Sequence, residues 1–158
     1  IFHTKFINIK GREIMKLSTK ARYGLRAITE IAKSYGGAPA KRKEIAEKQG
    51  LSDSYLENIL IVLKNIRIIE TTRGSNGGYV LCRAPSEISV LEIVEALEGP
   101  LELVECVSSS KNCEKSNRCS ARMVWSELSE LWRKSLSAKT LQDLLDLENA
   151  AQCFDYCI

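Results

Sequence analysis

Residues 45–57 read IAEKQGLSDSYLE, and this stretch decides the fold. Ile45 and Ala46 supply the apolar face of a short helix expected over Lys43 to Gln49, and Gly50 provides a tight exit. Ser52 is a typical N-cap for a second helix. The inward stripe of that second helix consists of Leu56, Ile59, Leu60 and Leu63. A short helix, a glycine turn and a capped helix together predict a helix–turn–helix.

The second of these helices carries polar residues near its start, where the recognition helix of such a motif meets base edges and phosphates. Basic residues before and after it would neutralise phosphates. We therefore predict contacts with double-stranded DNA from Lys20, Arg22, Ser52, Ser54, Tyr55, Glu57, Asn58 and Lys64.

A β-hairpin follows. Residues 68–72 and 79–82 are rich in β-branched or aromatic residues, and the glycine-rich RGSNGG, residues 73–78, lies between them. Directly after a helix–turn–helix, such a hairpin is a wing. Arg73 and Gly74 are added to the predicted DNA contacts, because an arginine at this place is suited to a narrow minor groove.

Charge divides the chain at this point. Met15 to Pro85 holds thirteen Lys and Arg against six Asp and Glu, whereas Ser86 to Ile158 holds seven against thirteen. A basic half joined to an acidic half indicates a polyanion-binding module with an oligomerisation or sensing module. Chance segregation of surface charge is the alternative.

The acidic half is predicted to be helical. Ser89 begins a capping box for a helix ending at Leu97 or Glu98, and a longer helix is expected over Ala121 to Leu136. Thr140 caps a last short helix ending near Leu147. The apolar side of the longer helix exceeds the needs of a small core, so we predict a homodimer interface there, with plain core packing as the alternative. Its members are Val124, Trp125, Leu128, Leu131 and Trp132.

These patterns predict a mainly α fold with a small β-hairpin, divided into four parts. Residues 1–14 are expected to be a non-native or disordered leader, with Met15 as the true first residue. A winged helix–turn–helix domain covers 15–85, and dimerisation helices with a cysteine loop at about 101–120 cover 86–147. A tail covers 148–158. No run reaches the apolar length of a membrane span, and we expect a cytoplasmic protein.

Three of the six cysteines, Cys106, Cys113 and Cys119, lie in one polar segment. With no export signal in the sequence, metal binding or redox sensing is favoured over disulfides. The spacing leaves open an iron–sulfur cluster, zinc, redox-sensing thiols or unligated thiols. Cys82, at the end of the second wing strand, is predicted to be a small buried hydrophobe.

Four segments resemble the iron–sulfur cluster regulator IscR and its relatives, which include the cysteine-metabolism repressor CymR and the nitric-oxide sensor NsrR. They are residues 15–27 (MKLSTKARYGLRA), 45–57, 73–81 (RGSNGGYVL) and 97–100 (LEGP). The resemblance implies a dimer that binds palindromic promoter sites, with Tyr55, Glu57 and Arg73 among the DNA readers. It also implies a [2Fe-2S] cluster held by the three loop cysteines. CymR-like members lack these cysteines, which argues against a purely CymR-type role.

Three positions depart from the pattern of these relatives. Arg122 stands where IscR-like proteins have a histidine ligand, and Arg22 stands where NsrR-like proteins have an acidic one; arginine stays protonated and does not coordinate iron. Arg67 replaces the usual glycine between recognition helix and wing. The fourth ligand therefore stays open among Glu105, Glu114, Ser120, another cysteine, an exogenous thiol or water.

The sequence thus predicts a homodimeric repressor that senses [2Fe-2S] occupancy and controls iron–sulfur assembly genes. The alternatives are a regulator of cysteine metabolism or a nitric-oxide or redox sensor of the same fold. A small iron–sulfur electron carrier is less favoured, because the winged helix has no place in it. No catalytic constellation is present, so an enzyme is not expected.

Overall fold

The computed structural model describes residues 17–108 and 118–155. In chain order these residues form α1 (Thr19–Ala32), α2 (Arg42–Gln49), α3 (Asp53–Asn65), β1 (Ile69–Thr72), β2 (Gly78–Leu81), a 3-10 turn (Pro85–Glu87), α4 (Val90–Glu98), α5 (Glu105–Ser108), α6 (Ser120–Ser137) and α7 (Leu141–Asp155). The predicted mainly α fold with a small hairpin is confirmed. The leader, 1–14, lies outside the described residues.

Helices α2 and α3 form the predicted helix–turn–helix. Gly50 ends α2 with φ 64°, a left-handed conformation that a side chain would strain. The Ser52 hydroxyl then accepts a hydrogen bond from the Tyr55 backbone N–H at 3.3 Å and so caps α3. All four residues of the predicted inward stripe of α3 are fully buried. The two helices are therefore fixed by a glycine, a cap and one apolar stripe.

Strands β1 and β2 form an antiparallel wing in which Ile69 pairs with Leu81 and Thr72 with Gly78. The wing is tied to the chain before α2, because Ala40 and Tyr79 exchange backbone hydrogen bonds of 3.0 and 2.9 Å. A Cβ on Gly78 would lie 2.5 Å from the Ala40 carbonyl oxygen, so only glycine permits this approach. The wing is thereby held close to the helix–turn–helix.

One hydrophobic core joins the basic half to α4 and α7. Helix α4 packs against α1, and its Ile93 and Val94 are fully buried together with Ile28 of α1. Leu141, at the start of α7, belongs to the same core. The predicted division at 85/86 falls within the 3-10 turn and does not separate two cores.

Helix α3 ends in a Schellman motif. The Arg67 N–H donates to the Lys64 carbonyl at 3.0 Å and the Ile68 N–H to the Leu63 carbonyl at 3.1 Å. Arg67 has φ 57°, the conformation that this motif requires of its glycine-favouring position. This gives a physical reason for the glycine that the resemblance implies at this position.

Several local predictions are wrong. The helical spacing of apolar residues up to Tyr35, followed by Gly36 and Gly37, predicts a first helix that reaches about Tyr35. Helix α1 instead ends at Ala32, because the chain forms turns there and leaves Tyr35 exposed. Helix α7 runs on past Leu147 to Asp155, so the predicted tail boundary falls inside a helix. Cys82 is exposed, because side chains alternate along the strand and the preceding Leu81 points inward.

Candidate nucleic-acid interface

The start of α3 presents one exposed polar face. Ser54, Glu57 and Asn58 are all exposed, and their spacing of three and four residues places them on the same side of the helix. Ile61, one turn further, is 48% exposed on this side. An apolar group at such a place suits a thymine methyl. Ile61 was not among the predicted DNA contacts. Its position outside the inward stripe of α3 is the sequence feature that identifies it as an exposed apolar residue.

Arg42 of α2 reaches the acidic residues of this face. Its guanidinium binds Asp53 through Nε at 3.0 Å and through a second nitrogen at 2.6 Å. Its third nitrogen lies 2.9 Å from Glu57 Oε1. Two carboxylates on the reading surface are thus paired with one arginine that the sequence analysis did not single out.

Tyr55 is half-buried and acts as a link between helices as well as a surface residue. Its ring meets that of Tyr23 edge to face, with centroids 6.2 Å apart. The guanidinium carbons of Arg22 and Arg26 lie 5.2 and 5.5 Å from the Tyr23 ring centroid, within cation–π range. Arg26 also donates to Gln49 at 2.6 Å. These contacts connect α1 with both helices of the helix–turn–helix.

The remaining predicted DNA contacts are spread around this face. Ser52 lies at its edge as the cap of α3 and is exposed, whereas Lys64 lies in the last turn, about 16 Å along the axis from Asp53. Arg73 and Gly74 are exposed where the wing turns after β1, and Lys20 is half-buried on α1. The structure brings together the residues at the start of α3, and Lys64 and the wing tip lie apart from them.

A second network of ion pairs is centred on Glu30 of α1. Glu30 of α1, only 10% exposed, binds Lys33 at 2.7 Å and Lys48 of α2 at 3.2 Å, and Lys33 also binds Glu148 of α7 at 2.7 Å. Partial burial opposes ionisation, but the hydrogen bonds from Lys33 and Lys48 hold the pKa of Glu30 below its ordinary value. The network links α1, α2 and α7.

The cysteine loop is described only at its two ends. Cys106 on α5 and Cys119 at the N-cap of α6 are half-buried, while Cys113 and Glu114 lie outside the described residues. Arg122, one turn into α6, donates from Nε to the Cys106 carbonyl at 2.7 Å. This bond holds the first cysteine beside the helix that begins at the last one, and α5 is a helix where a loop was predicted.

The described donor set fits thiolate chemistry in part. Arg122 is engaged with backbone and cannot be a ligand, and Ser120 is exposed. Within 17–108 and 118–155 no group of three or more His, Cys, Asp or Glu could hold a metal ion. Cys106 and Cys119 supply two half-buried thiols on helices that contact each other, and thiolates are the ligands of iron–sulfur clusters.

Helix α6 touches the rest of the molecule along a narrow strip. The Ser129 hydroxyl accepts from the Leu103 N–H at 3.2 Å, and Arg133 pairs with Glu95 of α4. The predicted interface residues lie to one side of this strip and are exposed. Val124 is 58%, Trp125 41%, Leu128 36%, Leu131 56% and Trp132 37% accessible.

A capped reading helix behind a glycine turn, beside a hairpin pinned to the same unit, defines a winged helix–turn–helix DNA-binding protein. The Rrf2 family, described as "Iron-dependent Transcriptional regulator", matches residues 17–147. The chain belongs to the Rrf2 family of transcription regulators.

Relatives of both predicted kinds are found. The chain is 35% identical over 138 residues to the HTH-type transcriptional regulator CymR of Bacillus subtilis, covering 87% of this chain and 95% of that protein. It is 37% identical over 131 residues to protein rrf2 of Nitratidesulfovibrio vulgaris, covering 83% and 87%. Among solved structures, T. potens IscR matches with a TM-score of 0.73 and 34% identity over 90% of this chain and 94% of that one.

These relatives settle the class of function. The chain is a DNA-binding transcription regulator and not an enzyme. In the part of the chain that the structure describes, every helix is too short or too polar to cross a membrane.

Proposed function

We propose that the chain is a homodimeric repressor that grips a palindromic operator through α3 and the wing of each protomer. The observation that carries this proposal is the exposed face of Ser54, Glu57 and Asn58 on a helix whose opposite face is fully buried. Base edges are read by such polar groups in the major groove. The basic residues around the face neutralise phosphates. We also propose that the protein acts on chromosomal promoters in the cytoplasm.

The dimer is proposed to form through α6. Its exposed stripe includes two tryptophans, and aromatic residues are typical anchors of protein interfaces. A second copy of the chain is the occupant that suits a palindrome, because a two-fold axis between paired α6 helices relates the two α3 helices.

The cofactor is proposed to be a [2Fe-2S] cluster held by Cys106, Cys113 and Cys119. Supporting observations are the half-buried thiols at the ends of α5 and α6 and the family description as iron-dependent. When bound, the cluster supplies a group whose loss or oxidation reports iron–sulfur status. The chain's own contribution is the Arg122 bond to the Cys106 carbonyl, which fixes α5 against α6 and so couples the thiols to the dimer helix. We propose iron–sulfur assembly genes as targets.

Control of cysteine metabolism is the second candidate. It is favoured by the 35% identity to CymR of Bacillus subtilis and by the similarity to the solved structure of CymR, the global cysteine regulator of B. subtilis, with a TM-score of 0.71. The two candidates differ in what the cysteine segment does, because only the first needs all three thiols.

The cofactor proposal is tested on protein prepared anaerobically. We expect visible absorption typical of a [2Fe-2S] cluster with iron and sulfide in equal amounts, and loss of both in a triple Cys106→Ala, Cys113→Ala, Cys119→Ala variant. Cys82→Ala is the matched control, since this exposed thiol lies on the wing. Colourless protein, or a zinc-loaded product, would overturn the cluster and favour the second candidate.

DNA binding is tested separately with a pool of random-sequence duplexes, sequenced before and after selection. We expect enrichment of an inverted repeat and an affinity that falls steeply with salt. A dimer that enriches no sequence, whatever its iron content, would overturn the proposed repressor.

A further inference from the structure

The contacts of Arg42 are unusual for a basic residue beside a DNA-reading helix. An arginine in this place is expected to bind phosphate, yet the guanidinium of Arg42 lies on Asp53 and Glu57 at 2.6 to 3.0 Å. Its side chain is 35% exposed and those of the two acids are about half exposed. Arg42 is therefore paired with acidic side chains of the protein's own predicted DNA-contacting surface.

The pairing has a geometric consequence for Glu57. Three of the guanidinium nitrogens are used, two by Asp53 at the first position of α3 and one by Glu57 a turn later. The two-point contact fixes the guanidinium on Asp53, and from this position a single ion pair of 2.9 Å reaches Glu57. Glu57 Oε1 is thereby held toward α2, and within the described chain Oε2 has no hydrogen bond.

The pairing also has an electrostatic consequence. Two carboxylates facing a phosphate backbone would repel it, whereas one arginine reduces their combined charge from −2 to −1. A carboxylate that remains at the face accepts a hydrogen bond from the amino group of cytosine, which is the contact that glutamate makes in the major groove.

We propose that Arg42 is a specificity-positioning residue, which fixes the Glu57 carboxylate so that its outer oxygen selects cytosine at one base pair of each half-site. The inference rests on the proposed DNA-reading function of α3 and adds to it the residue that orients the reader. Arg42 itself contacts no base in this arrangement.

The test uses the full-length dimer and the random-duplex pool, with selection by the wild type, Glu57→Gln and Arg42→Lys. Comparison of the first two identifies the base pair that Glu57 reads. Arg42→Lys keeps the positive charge but loses the planar fork. We expect it to retain overall affinity within about twofold, while the cytosine preference at that pair falls by about tenfold, as for the loss of one oriented base contact.

Two controls separate positioning from simple charge. Lys43→Met removes one charge from the adjacent exposed lysine, which has no salt bridge within 17–108 and 118–155, and should weaken binding to all sequences alike. In a Glu57→Ala background, Arg42→Lys should leave base preference at that pair unchanged, because position 57 then has no side-chain oxygen to be oriented. Thermal melting establishes that each variant is folded.

The outcomes are distinct. An Arg42→Lys protein with the full cytosine preference of the wild type would overturn the inference and leave the repressor intact, and so would a Glu57→Gln protein with unaltered preference. A wild-type dimer that enriches no sequence would instead overturn the proposed function on which the inference rests.

Discussion

Helices α3 and α6 are similar in sequence pattern and different in structure. Each carries an apolar stripe, but the stripe of α3 is fully buried, whereas five large apolar residues of α6 are between 36% and 58% exposed. Helix α3 completes its packing within one chain, and the opposite face is left for polar readers. Helix α6 leaves its apolar face exposed, and we propose that a second copy of the chain covers it. Periodicity predicts that a helix has an apolar face; it does not predict which surface covers it.

The largest expected effect concerns α3, whose apolar stripe is fully buried within one chain. Leu60→Ala removes a fully buried side chain from the centre of the α3 stripe. We expect the free energy of unfolding to fall by about 3 kcal/mol, because a buried leucine truncated to alanine leaves a cavity. Urea denaturation followed by circular dichroism measures the change. A loss below about 1 kcal/mol would contradict the tight packing of α3.

The second prediction concerns α6, whose apolar stripe is exposed. Leu128→Glu places a charge in the middle of the α6 stripe, and a two-fold interface receives it twice. We expect the Kd of the dimer to rise by about 100-fold, the equivalent of about 2.7 kcal/mol, with a smaller effect on the stability of the monomer. Analytical ultracentrifugation over a concentration series measures it.

Met123 supplies the matched control for Leu128. It is 74% exposed and lies five residues earlier on α6, which places it on the other side of the helix. Met123→Glu should leave the dimer Kd within about threefold of wild type. If both variants dissociated the dimer equally, the interface would not be the predicted stripe.

How far the sequence predicted these two regions depends on the range of the contacts involved. The cap at Ser52 and the turn at Gly50 were predictable, because they act within a few residues. The Arg42 pairing was not, because it depends on how α2 and α3 are oriented. The length of α7 was missed for another reason. After Leu147 the residues ENAAQ favour helix and contain no helix-breaking residue. The predicted end near Leu147 was therefore too early.

The third prediction concerns the ion network that links α1, α2 and α7. Glu30→Gln removes the carboxylate that binds Lys33 and Lys48, and through Lys33 it loosens the contact to Glu148 of α7. We expect a loss of about 1 kcal/mol at neutral pH, since the pairs are only partly buried. Thermal unfolding of both proteins at several pH values measures it.

The pH dependence of this difference is specified by the direction of the pKa shift. The pKa of Glu30 is lowered on folding despite partial burial, because Lys33 and Lys48 favour its charged form. Its stabilisation is therefore complete above the ordinary value of 4.5 and is lost as the pH falls through the lower folded value. Wild type and Glu30→Gln should converge in strong acid; a difference that persisted there would exclude ionisation of Glu30 as its source.

The smallest expected effect concerns Arg67, which lies in the joint between α3 and the wing and has a strained backbone conformation. Arg67 holds φ 57° at the end of a Schellman motif, a conformation that costs a side-chain-bearing residue about 1 kcal/mol. Glycine removes that cost but gains freedom in the unfolded chain, which offsets part of the benefit. Arg67→Gly should therefore raise the free energy of unfolding by about 0.5 kcal/mol, while Arg67→Ala, which loses the same charge but keeps the Cβ, should not. If alanine stabilised the protein as much as glycine, charge at this exposed position, rather than backbone conformation, would be the cause, and the strain assigned to this joint would be absent.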